Sequence, residues 1–261
     1  MTLAAVLLAV SCGQNKPQKA LVLYYSQTGT TKAVADAIQT ALGADAEEIV
    51  ALTPYDGDFG ATIARCQEEM AQGILPEVEP LKADLSQYDV IFLGYPIWFG
   101  TYAPPVKAFL NTIDLNGKKV VPFCTFGSGG LDSSVKHLAE KFPKAEILPG
   151  YGVRTARADA IPAEVDHFLK ESGFVAGEYF KAEPFGEAHA VSEEEAAIFD
   201  TAVGDYPMIS AKAVEVAVRT VENGTEYFFT AENTGGVPGS IIKVYVLAEE
   251  GKDPVFTQML R

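Results

Sequence analysis

Residues Ala20 to Thr31 read ALVLYYSQTGTT, and the rest of the chain is arranged around them. The run Ala20-Leu21-Val22-Leu23-Tyr24-Tyr25 is continuously apolar and β-rich, as suits a strand buried on both faces of a parallel sheet. Ser26, Gln27, Thr28, Gly29, Thr30 and Thr31 follow, and Val34, Ala37, Ile38 and Leu42 then recur at helical spacing. A loop of small hydroxyl residues between a buried strand and a helix start suits an anion. The first N–H groups of a helix lack intrahelical partners, and the helix dipole favours negative charge beside them. Gly29 lets the backbone come close to a ligand, and the hydroxyls of Ser26, Thr28, Thr30 and Thr31 can donate to phosphate oxygens. The plain alternative is a strand-to-helix turn that uses Ser and Thr as caps. Neither G-x-x-x-x-G-K-[ST] nor G-x-G-x-x-G follows the strand, which argues against a nucleoside triphosphate and a dinucleotide.

Two later stretches stand in equivalent positions. Val90-Ile91-Phe92-Leu93 is a second apolar strand and ends in Gly94-Tyr95-Pro96-Ile97-Trp98-Phe99-Gly100. Loops at the carboxyl ends of buried strands are where open α/β sheets bind ligands. This one carries the only Trp of the chain, flanked by Tyr95 and Phe99, a platform for a flat ring or else a cap on the core beneath. Lys118 to Thr125 forms the next strand and leads into Phe126-Gly127-Ser128-Gly129-Gly130. Its glycines either bring backbone N–H groups close to a ligand or serve a turn.

The intervening segments alternate. Glu47 to Ala51 reads as a short strand, Thr53 to Gly60 as a turn, and Ala61 to Gln72 as a helix with Ile63 and Met70 on one face. A helix begins within Thr101 to Thr112 with Pro104 and Pro105 in its first turn. Leu131 to Phe142 and Asp159 to Glu171 are helices, separated by a strand in Ala145 to Val153. Residues 20–173 therefore alternate strand and helix five times, the pattern of an α/β domain with a five-stranded parallel sheet.

Ser26-Gln27-Thr28-Gly29-Thr30-Thr31 meets T/S-x-T-G-x-T and resembles the phosphate loop of flavodoxins. Gly94 to Gly100, as G-x-P-x-W-x-G, is similar to the isoalloxazine loop of flavodoxin-like proteins. The resemblance implies FMN as cofactor and the strand order 2-1-3-4-5, which gathers the three loops at one switch point. It implies that Trp98 lies against the ring, with the Pro96 and Ile97 backbone at its edge and Phe99 and Gly100 alongside. Thr125, Phe126, Gly127, Ser128 and Gly129 would close over it. The implied function is FMN-dependent redox chemistry. It is either electron transfer with a redox partner protein, or reduction of a small acceptor such as a quinone by NAD(P)H. The alternative is a non-catalytic binding module whose C-terminal part docks a protein partner.

After Gly173 the alternation stops, and residues 174–261 read as a smaller α+β domain. Ser192 to Glu195 forms a capping box before a helix over Ala196 to Val203. β-rich runs follow, with Asn223-Gly224 as a hairpin turn. Val216 to Glu232 resembles the cystatins: a strand, a tight hairpin and an aromatic strand. That family's Gln-x-Val-x-Gly falls on Thr220, Glu222 and Gly224, so only the Gly matches. The resemblance therefore implies a cystatin-like fold rather than protease inhibition.

At the other end, Met1 to Val10 is almost wholly apolar and Cys12 follows Ser11. The run is too short to span a bilayer. It resembles a bacterial lipoprotein signal, with Cys12 lipidated and Gly13 to Lys19 as a tether, which implies a membrane-anchored protein of the cell envelope. The net charge of −15 argues against binding nucleic acid. With the anchor as the membrane contact, the charge also argues against adsorption to anionic lipid. Cys66 and Cys124 are too few for a disulfide scaffold, and His137, His167 and His189 are too scattered for a zinc site.

Overall fold

The apolar runs of the first domain lie side by side in the computed structural model, which describes residues 18–260 except 56, 57, 205, 207, 208 and 236–238. Ala20–Tyr24 (β1), Asp45–Glu48 (β2), Val90–Trp98 (β3) and Lys119–Phe126 (β5) form a parallel sheet in the order β2-β1-β3-β5. Thr101–Tyr102 (β4) folds back on the end of β3. Glu146–Ile147 (β6) and Tyr151–Arg154 (β7) share the position beyond β5. This is the flavodoxin-like order expected from the sequence.

Side chains alternate across the strands and both faces are buried. Leu21, Leu23, Ile91 and Leu93 pack on one face with Val106 and Phe109 of Pro104–Phe109 (α3) and Leu138 of Leu131–Lys141 (α4). Val22, Tyr24, Val90 and Phe92 pack on the other with Val34 and Ile38 of Thr30–Leu42 (α1) and Val165 and Leu169 of Ile161–Glu171 (α5). Phe59–Gln72 (α2) packs its Cys66 with Ala51, Tyr55 and Trp98, and is capped by Asp58, whose carboxylate accepts the Ala61 N–H at 2.8 Å.

Three local expectations are corrected. The second strand is the polar Asp45–Glu48, not Glu47 to Ala51. It is an edge strand held to β1 by backbone bonds, so it needs no apolar face. Glu47 instead turns its carboxylate to the Lys82 and Ala83 N–H groups at 2.7 and 2.9 Å. On α2 the buried residues are Thr62 and Cys66, while Met70 is exposed. The hairpin turn lies at Glu222-Asn223, since Gly224 already pairs with Val221. Gly224 is fixed by a close approach: a Cβ there would fall 2.1 Å from the Ala248 carbonyl oxygen.

That hairpin belongs to a separate, smaller domain. His189–Ala190 (β8), Ala211–Val221 (β9), Gly224–Asn233 (β10), Ile241–Glu249 (β11) and Val255–Leu260 (β12) form an antiparallel sheet in the order β12-β11-β10-β9-β8. Glu193–Val203 (α6) covers one face, with Phe199 and Val203 against Val216, Phe229, Val244 and Phe256. Its capping box forms as expected: Ser192 Oγ accepts the Glu195 N–H and the Glu195 carboxylate accepts the Ser192 N–H. On the opposite face Phe185 reaches over Phe228 and Tyr245.

In the first sheet Gly94 of β3 sits beside Phe123 of β5, and a Cβ on Gly94 would fall 2.1 Å from the ring. Gly94→Ala should therefore overpack the core and cost about 1–3 kcal/mol. A urea midpoint equal to that of the wild type would show the β3–β5 interface to be loose there.

Candidate functional site

At the carboxyl end of β1 the backbone turns through Ser26–Gly29, with Ser26 Oγ accepting the Gly29 N–H at 3.1 Å. Gly29 adopts φ 92°, a conformation that favours glycine, and leads into α1 without a side-chain cap. The N–H groups of Thr30, Thr31 and Lys32 therefore have no intrahelical partner and open at the loop. The hydroxyls of Thr28 and Thr30 have no partner among the described residues. Gln27 differs: its side-chain amide donates to the Tyr55 carbonyl at 2.8 Å and to Thr62 Oγ1 at 2.7 Å, which ties the loop to α2 and the segment before it.

The second stretch is more regular than the sequence suggests. Pro96, Ile97 and Trp98 continue β3, and only Phe99 and Gly100 form the turn into β4. Pro96 stands where β3 ends its pairing with β5, so its missing N–H is tolerated. Phe99 has φ 50° and Gly100 φ 79°, the pair of positive values typical of a tight two-residue hairpin. Phe99 is the sole non-glycine with positive φ among the described residues, and its side chain is 52% exposed. Ser133 at the start of α4 donates to the Gly100 carbonyl at 2.7 Å and holds the hairpin down.

Of the aromatic residues here, Tyr95 is fully buried and bonded to Ser134 at 3.0 Å. Trp98 is half-buried and meets Tyr25 and Tyr55 edge to face, with ring centroids 6.0 and 5.3 Å away. Tyr55 is itself clamped. Arg65 lies 3.7 Å from its ring centre and donates to the Thr53 and Pro54 carbonyls, while the Tyr55 hydroxyl donates to Glu69. Burial pushes the Tyr25 and Tyr55 phenols and the neighbouring Cys66 thiol up, so all three stay neutral near pH 7.

The third stretch begins inside the core. Thr125 is buried beside Thr31 of α1, and the two hydroxyls share a hydrogen bond of 2.8 Å. Phe126 is buried as well, whereas Gly127, Ser128 and Gly129 reach the surface. Gly130 starts α4 at φ 120°, again without a side-chain cap.

The loops after β1, β3 and β5 thus stand at one end of three neighbouring strands. Two hollows of about 550 and 880 Å³ open at the opposite end, around Lys118, Lys119, Lys144, Asp45 and Phe174. Hollow size points there; unpaired backbone donors and glycine-shaped turns point to the loops, and donors decide what an anion prefers. The segment around Tyr55, Arg65 and Glu69 escaped the sequence reading. Its one signal was the spacing of Thr62, Arg65, Cys66 and Glu69 on adjoining turns of α2.

The flavodoxin family model matches residues 19–166, more than half of the chain. The chain belongs to the flavodoxin family. A relative from Pseudomonas aeruginosa, an FMN reductase (NADPH), is 29% identical over 167 residues, covering 61% of this chain and 81% of the relative. Among solved structures, a flavoprotein from Bacteroides uniformis is 28% identical with a TM-score of 0.50, covering 58% of this chain and 99% of its own. One from Bacteroides eggerthii is 32% identical with a TM-score of 0.48, covering 57% and 96%.

FMN is the cofactor of this chain, and the residues present fit it. The open start of α1, the free hydroxyls of Thr28 and Thr30 and the turn at Gly29 form a donor set for a phosphate. The buried Thr31–Thr125 bond fixes that set to β5. Thr31→Val and Thr125→Val should each leave one buried hydroxyl unpaired and destabilise the flavin-free protein by about 1–3 kcal/mol. The double variant should lose clearly less than the sum of the two. Strict additivity in urea unfolding would show that the hydroxyls do not interact.

Proposed function

We propose that this chain is an FMN-dependent redox protein that takes electrons from NAD(P)H and passes them to a small acceptor such as a quinone. The observation that carries this reading is the gathering of three strand-end loops around the uncapped start of α1. Ser26, Thr28, Gly29, Thr30 and Thr31 would hold the phosphate. Trp98, Phe99 and Gly100 would border the ring on one side and Gly127, Ser128 and Gly129 on the other. Bound FMN supplies the electron and hydride transfer. The chain's part is to bind, orient and screen. Positive potential at the start of α1 holds the anion, Tyr25 and Tyr55 lock Trp98 in place, and exposed Phe99 offers apolar cover. The Pseudomonas aeruginosa relative, named as an NADPH-dependent FMN reductase, supports NAD(P)H as donor.

A second reading, electron transfer with a protein partner, is favoured by the exposed Phe99 at the tip of the hairpin. An absorption spectrum separates the possibilities. The chain should retain stoichiometric FMN after dialysis, with weaker retention in Thr28→Ala and Trp98→Ala, and NADPH or NADH alone should bleach the flavin band anaerobically. Retained FMN that only dithionite reduces would favour the protein-partner reading. Failure to take up FMN would leave a non-catalytic module that docks a protein through its C-terminal domain.

The cystatin-like reading of that domain belongs to the same proposal and is supported by one helix lying against an antiparallel sheet. So does an anchor at Cys12, which lies outside the described residues together with the rest of residues 1–17. Lipidation there would hold the protein at a membrane of the bacterial cell envelope. Expressed in bacteria, the full chain should partition with membranes and incorporate labelled fatty acid. Cys12→Ala should remain in the aqueous fraction without label, and label retained by that variant would refute the anchor.

A further inference from the structure

The family match ends at residue 166, yet the C-terminal domain touches the flavin site directly. The outer edge of β12 lies against the third loop: the Met259 N–H donates to the Ser128 carbonyl at 2.6 Å. Arg154, at the end of β7, bridges the seam. Its Nε donates to the Gly127 carbonyl and its Nη1 to the Phe256 carbonyl of β12, both at 2.8 Å. The half-buried guanidinium also lies over the rings of Phe256 and Tyr206, 4.1 and 5.1 Å from their centres. The packing leaves no slack: a Cβ on Gly129 would fall 2.3 Å from the Met259 carbonyl oxygen.

These bonds have a consequence for the other side of the loop. A trans peptide is planar and its C=O and N–H point in opposite directions. There are no cis peptides among the described residues. The Ser128 carbonyl is drawn to Met259 of the C-terminal domain and the Gly127 carbonyl to Arg154 at the seam, which turns the Ser128 and Gly129 N–H groups away from these two donors. Those two N–H groups have no partner among the described residues. They are the donors that a ligand beside the third loop would meet.

We propose that the C-terminal domain is a structural wall of the flavin site, and that Arg154 is the positioning residue through which it orients the Ser128 and Gly129 donors. The inference rests on the FMN reading above. The domain's contribution is made through the loop backbone, so the loop needs no side chain for it and is mostly glycine.

The test is FMN affinity of the full chain, by flavin fluorescence and visible spectrum, in Arg154→Ala, Arg154→Lys, Met259→Pro and Arg219→Ala. Met259→Pro removes the N–H that reaches Ser128. Arg219 lies on β9, three strands away from β12, paired with Glu226 and over Phe185, and controls for general loosening. Arg154→Ala and Met259→Pro should each weaken FMN about tenfold, as loss of hydrogen bonds to a fixed backbone predicts, and should shift the flavin band. Arg154→Lys, which keeps a donor, should recover part of the loss, and Arg219→Ala should stay within about twofold of wild type. Tight FMN binding by the wild type with equal affinity in folded Arg154→Ala and Met259→Pro would overturn the proposal alone. No FMN uptake by the wild type would overturn the FMN reading and this proposal with it.

Discussion

The parallel registry of β1, β3 and β5 is the constraint on which the site depends. Tyr24, Gly94 and Phe123 stand in line across the three strands, and the Tyr25 N–H closes on the Gly94 carbonyl at 3.0 Å. A slip of one residue would exchange Leu21 and Leu23 for Val22 and Tyr24 on each face and move every loop with them. The strands do not end level. β1 stops at Tyr24, while β3 and β5 run on to Trp98 and Phe126. The step so formed receives the start of α1. From there Thr31 reaches Thr125 on β5, across the intervening β3. One buried hydroxyl bond thus couples the first loop to the strand that feeds the third.

The second loop is held by different means. Its turn carries a phenylalanine in a left-handed conformation, which costs an L-residue roughly 1–2 kcal/mol and which glycine or asparagine would adopt more easily. Half the ring faces solvent, so core packing does not offset that cost. Strain of this kind persists where the surroundings over-determine it: Ser133 pins the Gly100 carbonyl, and β3 and β4 fix both ends of the turn. Trp98, one residue earlier, is fixed from beneath by Tyr25 and Tyr55. The Arg65 clamp on Tyr55 and the Gln27 bonds to Tyr55 and Thr62 connect this aromatic cluster to the phosphate-type loop. The chain therefore holds its loops mainly through bonds between them, and leaves free donors at the open start of α1 and along the Ser128–Gly129 backbone.

Much of this was legible in the sequence because burial on both faces leaves unbroken apolar runs: β1, the first half of β3 and β5 are such runs, and their order follows from alternation with helices. What was illegible depended on backbone or tertiary partners. β2 reads DAEE, and its strand character comes from pairing with β1 rather than from any side chain. β3 passes through Pro96, which propensity treats as an end, and continues because its ladder with β5 stops there. The fifth strand is broken into β6 and β7 around Leu148 to Gly150, where a Cβ on Gly150 would meet the Pro122 carbonyl oxygen at 2.5 Å. Tyr55 sits in a stretch that reads only as turn chemistry, and its role appears once Arg65 and Trp98 are brought to it. Arg154 was invisible for the same reason: both its acceptors are main-chain carbonyls, one of them 102 residues away.

The C-terminal sheet illustrates how a second domain can brace a loop of the first without contributing a side chain to it. An edge strand exposes unpaired N–H and C=O groups that need partners. A glycine-rich loop has the same need, and its small residues allow the close approach that pairing demands. β12 and the third loop satisfy each other through Met259 and Ser128, and Arg154 completes the seam where the strand geometry no longer reaches. Because C=O and N–H oppose each other in every trans peptide, satisfying the carbonyls on one side necessarily presents amides on the other. The domain's effect on the site is then set by the direction of two peptide planes rather than by a side chain of its own.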